Sequence, residues 1–267
     1  MLTDLELALE LADLADEITV RRFRAADLRV DTKPDMTPVS EVDRAVEQAL
    51  RQAIARARHG DGVLGEEEGD DSTGRSRRWI LDPVDGTRNY VRGVPVWATL
   101  IALQVDAQVE VGVVSAPALG RRWWAARGQG AFADGRRVAV SRVARVEDAY
   151  ISATNPTLLA GEGVRHRYSA LARRCWTARA LGDFWSHVLV AEGAIDIGVE
   201  LPARASGSAP EATASGPAPW DIAANLVIVE EAGGRLTDLE GVARIDLGQA
   251  VSSNGLLHDE VLAALHA

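Results

Sequence analysis

From Trp79 to Tyr90 the chain reads Trp-Ile-Leu-Asp-Pro-Val-Asp-Gly-Thr-Arg-Asn-Tyr, and no other stretch constrains the fold as tightly. Trp79, Ile80 and Leu81 are bulky or β-branched and read as the end of a buried strand. Pro83 lacks a backbone donor and Gly86 favours a turn, so the strand is expected to stop at Asp82. A sharp turn there lets Asp82, the Val84 carbonyl and Asp85 converge, while Gly86 and Thr87 offer N–H groups to an anion. Hard divalent cations such as Mg²⁺ want several oxygen ligands and often share a substrate phosphate with one or two carboxylates. Asp, Pro and Gly in this order would equally serve a solvated turn with no ligand at all.

Elsewhere the chain alternates helical and extended patterns. Thr3-Asp-Leu-Glu6 forms a capping box, with apolar spacing behind it that predicts a helix to about Phe23. Pro34 and Pro38 bar a helix between Thr32 and Val39 and suggest an ordered loop or hairpin. A second helix starts near Ser40, where Asp43 sits at the third position and can cap it. Val63-Leu64 is a short strand ending at Gly65-Glu66-Glu67-Glu68, whose adjacent acids read most simply as a solvated turn, and residues 69–78 read as an exposed loop.

Trp97 to Val105 and Val109 to Ser115 form an antiparallel hairpin, which continues through Trp123-Trp124 to Val138. Neighbours in a strand face opposite ways, so the tryptophan pair reads as core or dimer packing rather than a ligand stack. Beyond Ala149, strands and helices alternate up to a helix over Trp220 to Ala232 and a terminal helix over Asp259 to Leu265. Between Glu200 and Trp220, residues 201–219 are rich in Pro, Ala, Ser and Gly and are expected to form a mobile surface insertion.

With 47% hydrophobic and 25% charged residues in 267, the composition is that of an ordinary globular protein. A net charge of −10 argues against nucleic acid or an anionic membrane as a partner. No run reaches the roughly 18 apolar residues of a membrane span. The start Met-Leu-Thr-Asp has no basic segment, so no signal peptide is read and a cytoplasmic protein is expected. The one cysteine, Cys175, excludes an intrachain disulfide and a cysteine-based zinc cluster and reads as a small apolar residue.

Three separated motifs share one order with a known family: Gly65-Glu66-Glu67, Asp82-Pro-Val-Asp-Gly-Thr-Arg-Asn-Tyr90, and Trp220-Asp221-Ile-Ala-Ala. In these the chain resembles the inositol monophosphatase family of Mg²⁺-dependent phosphatases. The resemblance runs from Lys33 to the helix after Asp221 and is weakest between Gly193 and Trp220. It implies an α+β fold, a layered αβαβα sandwich of the inositol monophosphatase and fructose-1,6-bisphosphatase type, as one phosphatase domain over 1–267 with halves at about 1–145 and 146–267.

The resemblance also implies two or three Mg²⁺ ions held by Glu66, Asp82, the Val84 carbonyl, Asp85 and Asp221, and hydrolysis by an activated water with no covalent intermediate. Glu66, Thr87 and Asp43 would be catalytic, Asp43 by orienting the Thr87 hydroxyl or a metal-bound water. Gly86, Thr87 and Asp221 would hold phosphate, and the loop from Lys33 would arch over the metals.

Where inositol-type members usually carry a small residue after the glycine matching Gly182, this chain has Asp183. An acid there suits a substrate bearing an ammonium or imidazolium group. With Arg88-Asn89 and Pro95-Val96-Trp97, the chain looks most like the histidinol-phosphate phosphatase branch, which makes Asn89, Arg179, Asp183 and Glu200 candidate substrate contacts. Arg179 and Asp183 would otherwise pair as a surface salt bridge at helical spacing. An inositol-phosphate or broad sugar-phosphate phosphatase, a bisphosphate nucleotidase and an inactive binding protein on the same fold remain open. The resemblance further suggests a homodimer acting on a small phosphate ester.

Overall fold

In the computed structural model, residues 2–33, 37–204, 214–246 and 248–266 are described. Thr3 opens α1 (Asp4–Arg22): its hydroxyl accepts the Glu6 N–H at 3.2 Å, and the Glu6 carboxylate accepts the Thr3 N–H at 2.7 Å. The segment with two prolines contributes β1 (Val30–Thr32) paired antiparallel with β2 (Pro38–Ser40), while residues 34–36 lie outside the described residues. Ser40 then caps α2 (Glu41–Ala57). Next come β3 (Gly62–Gly65), β4 (Gly69–Asp70) and β5 (Arg77–Asp85), so the stretch expected to be loop contributes a short strand and the start of a long one.

The strand from Trp79 does not end at Asp82. It continues to Asp85 and is followed by the six-residue helix α3 (Thr87–Arg92) and by β6 (Ala98–Val105). Asp82 pairs with Leu100 and Asp85 with Ala98, so β5 carries one extra residue, a β-bulge. Pro83 is tolerated because the bulge asks for no ladder donor at that position. Its carbonyl is held by the Thr99 hydroxyl at 2.7 Å.

The chain goes on through β7 (Gln108–Ala116), β8 (Arg121–Ala126), β9 (Gly130–Ala133) and β10 (Arg136–Val138), which with β6 form an antiparallel meander. After β11 (Tyr150–Ala153) follow α4 (Glu162–Arg174), β12 (Thr177–Arg179), α5 (Asp183–Ala191) and β13 (Ile197–Glu200). Then come α6 (Pro219–Glu231), β14 (Arg235–Thr237), β15 (Ala250–Ser253) and α7 (His258–His266). The eight-stranded sheet has the order β10-β9-β8-β7-β6-β5-β3-β4 and the five-stranded sheet the order β12-β11-β13-β15-β14.

Period-two alternation explains the stacking. In β6, Ile101 and Leu103 pack with Leu7, Leu11, Val46 and Leu50 of α1 and α2, whereas Leu100 and Ala102 pack with Val188 of α5 and Val227 of α6. The five-stranded sheet adds Leu236 and Ala250 to that central layer and buries Ile151, Ile197 and Val251 against Leu171 of α4 and Val261 of α7. The result is the α+β, αβαβα sandwich expected from the motifs. Trp123 lies inside the central layer and Trp124 stacks on Phe132 at 5.9 Å, so both serve packing. Cys175 is half-buried and its thiol donates to the Leu171 carbonyl.

Of the tract at 201–219, read above as a mobile insertion, residues 205–213 lie outside the described residues. Its described flanks are joined by an Ala203–Ser215 bridge, and Ala203 also bridges to Leu159. No helix among the described residues is long and apolar enough to cross a membrane.

His258, fully buried, ties α7 to the small sheet. The Thr237 hydroxyl donates to the Asp238 carbonyl at 2.7 Å, so at 2.8 Å it accepts from His258 Nε2, and Nδ1 accepts from Ser253. Burial, helped by Arg235, pushes the ring down to about 4, so the folded protein keeps it neutral while the unfolded chain protonates near 6.5. Its contribution to stability is present above 6.5 and is lost as pH falls toward 4. Urea midpoints should therefore decline across that window, and the decline should be shallower in His258→Gln.

Candidate metal centre and substrate cleft

Topology brings the acids together. Because β3 runs parallel to β5, with Gly65 opposite Leu81, both strands deliver their next residues to the same sheet edge, and Glu66 N–H donates to the Leu81 carbonyl at 3.3 Å. Glu66 therefore adjoins Asp82. The bulge presents Asp82 and Asp85 together, and α6 begins at Pro219, putting Asp221 in its first turn. One carboxylate oxygen each of Asp82, Asp85 and Asp221 lies within 4.8 Å of the others. Among the described residues this is the one cluster of at least three potential ligand side chains.

Each of these three carboxylates has one oxygen fixed by a backbone N–H. Asp82 Oδ1 accepts from Val84 at 2.9 Å, Asp85 Oδ2 from Phe184 at 2.7 Å, and Asp221 Oδ2 from Ala218 at 2.6 Å. The Phe184 donor belongs to the first turn of α5, where the helix dipole also favours a negative charge. Burial nonetheless pushes Asp82, Asp85 and Asp221 well above the usual carboxylate range. Mutual repulsion adds to this, from Glu66 on Asp82, Asp183 on Asp85 and Glu200 on Asp221.

At Glu66, burial also raises the pKa and Lys33 opposes it. The Lys33 ammonium lies 2.7 Å from Glu66 and 2.6 Å from Glu67. Burial alone would lower that lysine, but the two glutamates override it and hold it above its ordinary value. A buried oxygen-donor set with this much uncompensated negative charge fits a hard divalent cation.

Asp43 serves two purposes at once. One oxygen accepts the Ser40 N–H at 2.9 Å and caps α2, while the other accepts the Thr87 hydroxyl at 3.2 Å. That hydroxyl also lies 2.9 Å from the Val84 carbonyl, so its single proton has two acceptors. Gly86 precedes Thr87 with φ +84, and a Cβ there would come 3.1 Å from the Val96 carbonyl, so only glycine fits without strain.

A cleft opens beside the carboxylates. Glu66, Gly86, Thr87, Arg88 and Asp183 line one part of it, and Asn155, Asp183, Glu200 and Arg204 line the other, with Thr37, Arg88 and Asp221 shared by both. Asp183 takes a left-handed conformation, φ +48, and donates its N–H to the Thr154 hydroxyl at 2.9 Å. Burial and then Glu200 raise its carboxyl to about 6, against the opposing pull of Arg88 and His187. Glu200 is held by His187 Nε2 at 3.2 Å.

Two of the substrate contacts expected from the motifs lie elsewhere. Arg179 is exposed at the end of β12 and hydrogen-bonds to the Thr177 hydroxyl and the Ala178 carbonyl. Because it ends a strand rather than a helix, the helical pair with Asp183 does not form either. The Asn89 amide is committed to the Val96 carbonyl at 2.8 Å and ties down the segment after α3. Arg88, not Asn89, lines the cleft. The turn at Gly86 was the available signal, since it starts a helix on which neighbouring residues point about 100° apart. Asn155 and Arg204 carried no sequence signal, being brought in by the ends of β11 and of the 201–219 tract.

The family model described as the inositol monophosphatase family matches residues 2–267. A protein of Mycobacterium tuberculosis named histidinol-phosphatase is 55% identical over 99% of this chain and 98% of its own length. A second histidinol-phosphatase, from Streptomyces coelicolor, is 48% identical over 99% of this chain and 97% of its own. Among solved structures, the extragenic suppressor protein suhB of Bartonella henselae superposes with a TM-score of 0.85 at 29% identity, covering 97% of this chain and 96% of that one. The chain belongs to the inositol monophosphatase family.

Without a cation the cluster opposes folding by its own repulsion, so Asp82→Asn should melt at or above the wild type in chelator. With excess Mg²⁺ the order should invert, because the wild type gains a ligand the variant binds poorly. Thermal melts of both proteins in the two buffers check this.

Proposed function

We propose that this phosphoric monoester hydrolase cleaves L-histidinol phosphate to L-histidinol and phosphate, with Glu66, Asp82, Asp85, Asp221 and the Val84 carbonyl holding Mg²⁺. The observation that carries the substrate is the acidic pair Asp183 and Glu200 on the cleft wall next to the clustered carboxylates. A leaving group that bears an ammonium finds opposite charge there, while a neutral polyol finds none. The names of the two relatives at 55% and 48% identity support the same substrate.

When bound, the divalent cations supply Lewis-acid activation of water and neutralise the phosphate in a chain whose own net charge is −10. The rest falls to side chains. With its proton on the Val84 carbonyl or on Asp43, Thr87 Oγ1 keeps lone pairs that accept a water O–H and turn the water oxygen toward phosphorus. Glu66, beside it in the cleft, accepts the water's other proton. Gly86 and Thr87, at the head of α3, offer N–H groups to the phosphate oxygens. Attack is in line, with no covalent intermediate. Asp183 and Glu200 receive the cationic end of the leaving group, and Arg88 lines both parts of the cleft. By family resemblance the same reading includes a homodimer that works in the cytoplasm as a step of histidine biosynthesis.

Charge-assisted contacts of this kind contribute about 1.5–3 kcal/mol each, so kcat/KM for histidinol phosphate should exceed that for inositol 1-phosphate by at least about tenfold. Side-by-side assays with Mg²⁺ check this, and equal or reversed preference would favour the inositol-phosphate reading. Asp85→Asn should lower kcat by about a hundredfold or more with an unchanged circular dichroism spectrum. Wild-type turnover in that folded variant would refute the ligand assignment.

A further inference from the structure

Glu47 is a fully buried carboxylate that plays no part in the chemistry above. It projects from α2 toward the end of β3. Its Oε2 accepts the Glu67 N–H at 2.7 Å and its Oε1 accepts the Glu68 N–H at 3.0 Å. Arg51, one helical turn later, contacts Oε1 at 2.8 Å and supplies the opposite charge that a buried carboxylate needs. Arg51 also reaches the Val63 carbonyl before the turn and the Gly69 carbonyl and Asp71 after it, so the pair grips the chain on both sides.

Gly65 completes the arrangement. A Cβ on that residue would lie 2.1 Å from Glu47 Oε1 and 2.3 Å from its carboxyl carbon, so the carboxylate occupies the space where any other side chain would begin. The glycine owes its place to this approach, since it is not among the residues with positive φ. Glu66 is therefore bracketed: the residue before it makes room for Glu47, and the two residues after it donate to Glu47. Among the described residues, no backbone N–H holds the Glu66 carboxylate as one holds each of Asp82, Asp85 and Asp221. Its hydrogen-bond donor is the long, flexible Lys33, at 2.7 Å. Where Glu66 points is thus set by how residues 65–68 are held.

We propose that Glu47 is a positioning residue for the metal centre, a buried anion that moulds residues 65–68 so that Glu66 faces Asp82. The inference rests on the reading of Glu66 as a metal ligand. It assigns a role to a helix residue outside the three family-like motifs, acting through Gly65 and the turn it touches.

The test uses the full-length protein stripped of metal, with Mg²⁺ affinity measured by calorimetric titration and with hydrogen exchange followed over residues 66–68. Groups that support metal ligands indirectly affect metal affinity by about 10–100-fold, so Glu47→Ala should weaken Mg²⁺ binding by about tenfold and speed exchange at the Glu67 and Glu68 amides. Gly65→Ala, which expels the carboxylate by steric contact, should give the same two effects. Glu47→Gln keeps the shape but has only one acceptor oxygen, so it should fall between wild type and Glu47→Ala, and it serves if the alanine variant does not fold. At saturating Mg²⁺, KM for histidinol phosphate should stay within about twofold of wild type, because the substrate wall is untouched. Folded Glu47 variants with wild-type Mg²⁺ affinity and amide protection would overturn the proposal. A Glu66→Gln variant with unchanged Mg²⁺ affinity would overturn it too, and would locate the error in the ligand assignment rather than in the clamp.

Discussion

Like charges gathered out of water are the constraint on which this structure turns. Asp82, Asp85 and Asp221 offer oxygens within 4.8 Å of one another, with Glu66, Asp183 and Glu200 close enough to raise their proton affinities further. Such a cluster disfavours the folded state unless the surroundings impose it. The surroundings do so with backbone. Three N–H groups, from Val84, Phe184 and Ala218, each fix one carboxylate oxygen. Those donors come from a bulge and two helix starts, places where backbone N–H groups lack ladder or helical partners of their own.

The layers make the cluster possible. Asp82 and Asp85 belong to the large sheet, Asp221 to a helix of the central layer, and Asp85 is tied to the other central helix through Phe184. A close approach fixes the helix against the sheet: at Gly112 on β7 a Cβ would lie 2.6 Å from the Ala224 carbonyl of α6. The relative placement of the carboxylates therefore follows from how closely α6 seats on the strands, a matter of core packing.

Much of this was legible in the residue order, and what was not has identifiable causes. Capping residues and apolar periods placed the helices, because Thr3 with Glu6 and Ser40 with Asp43 are local signals. The run at Asp82-Pro-Val-Asp was misjudged as a strand end because proline forbids a regular ladder, whereas a bulge removes that requirement. Asn89 and Arg88 are adjacent, and which of them faces the cleft depends on the rotation of a six-residue helix that propensities do not define. The helical spacing read between Arg179 and Asp183 has no helix to carry it, because Arg179 ends β12 and α5 begins only at Asp183. Glu47 carries no signal in the sequence, since nothing in its own neighbourhood shows that Gly65 leaves room for it. Long-range partners of this sort are invisible to periodicity, which reports only which face of an element turns inward.

The Lys33 ammonium between Glu66 and Glu67 gives one edge of the acidic pocket a counter-charge that travels with the polypeptide. The folded chain thus carries its own counter-charge for that edge without any ion. Assembly of the layers and capture of the cation can then occur as separate events, and the ion's arrival becomes an exchange of partners at a finished pocket rather than a condition for building it.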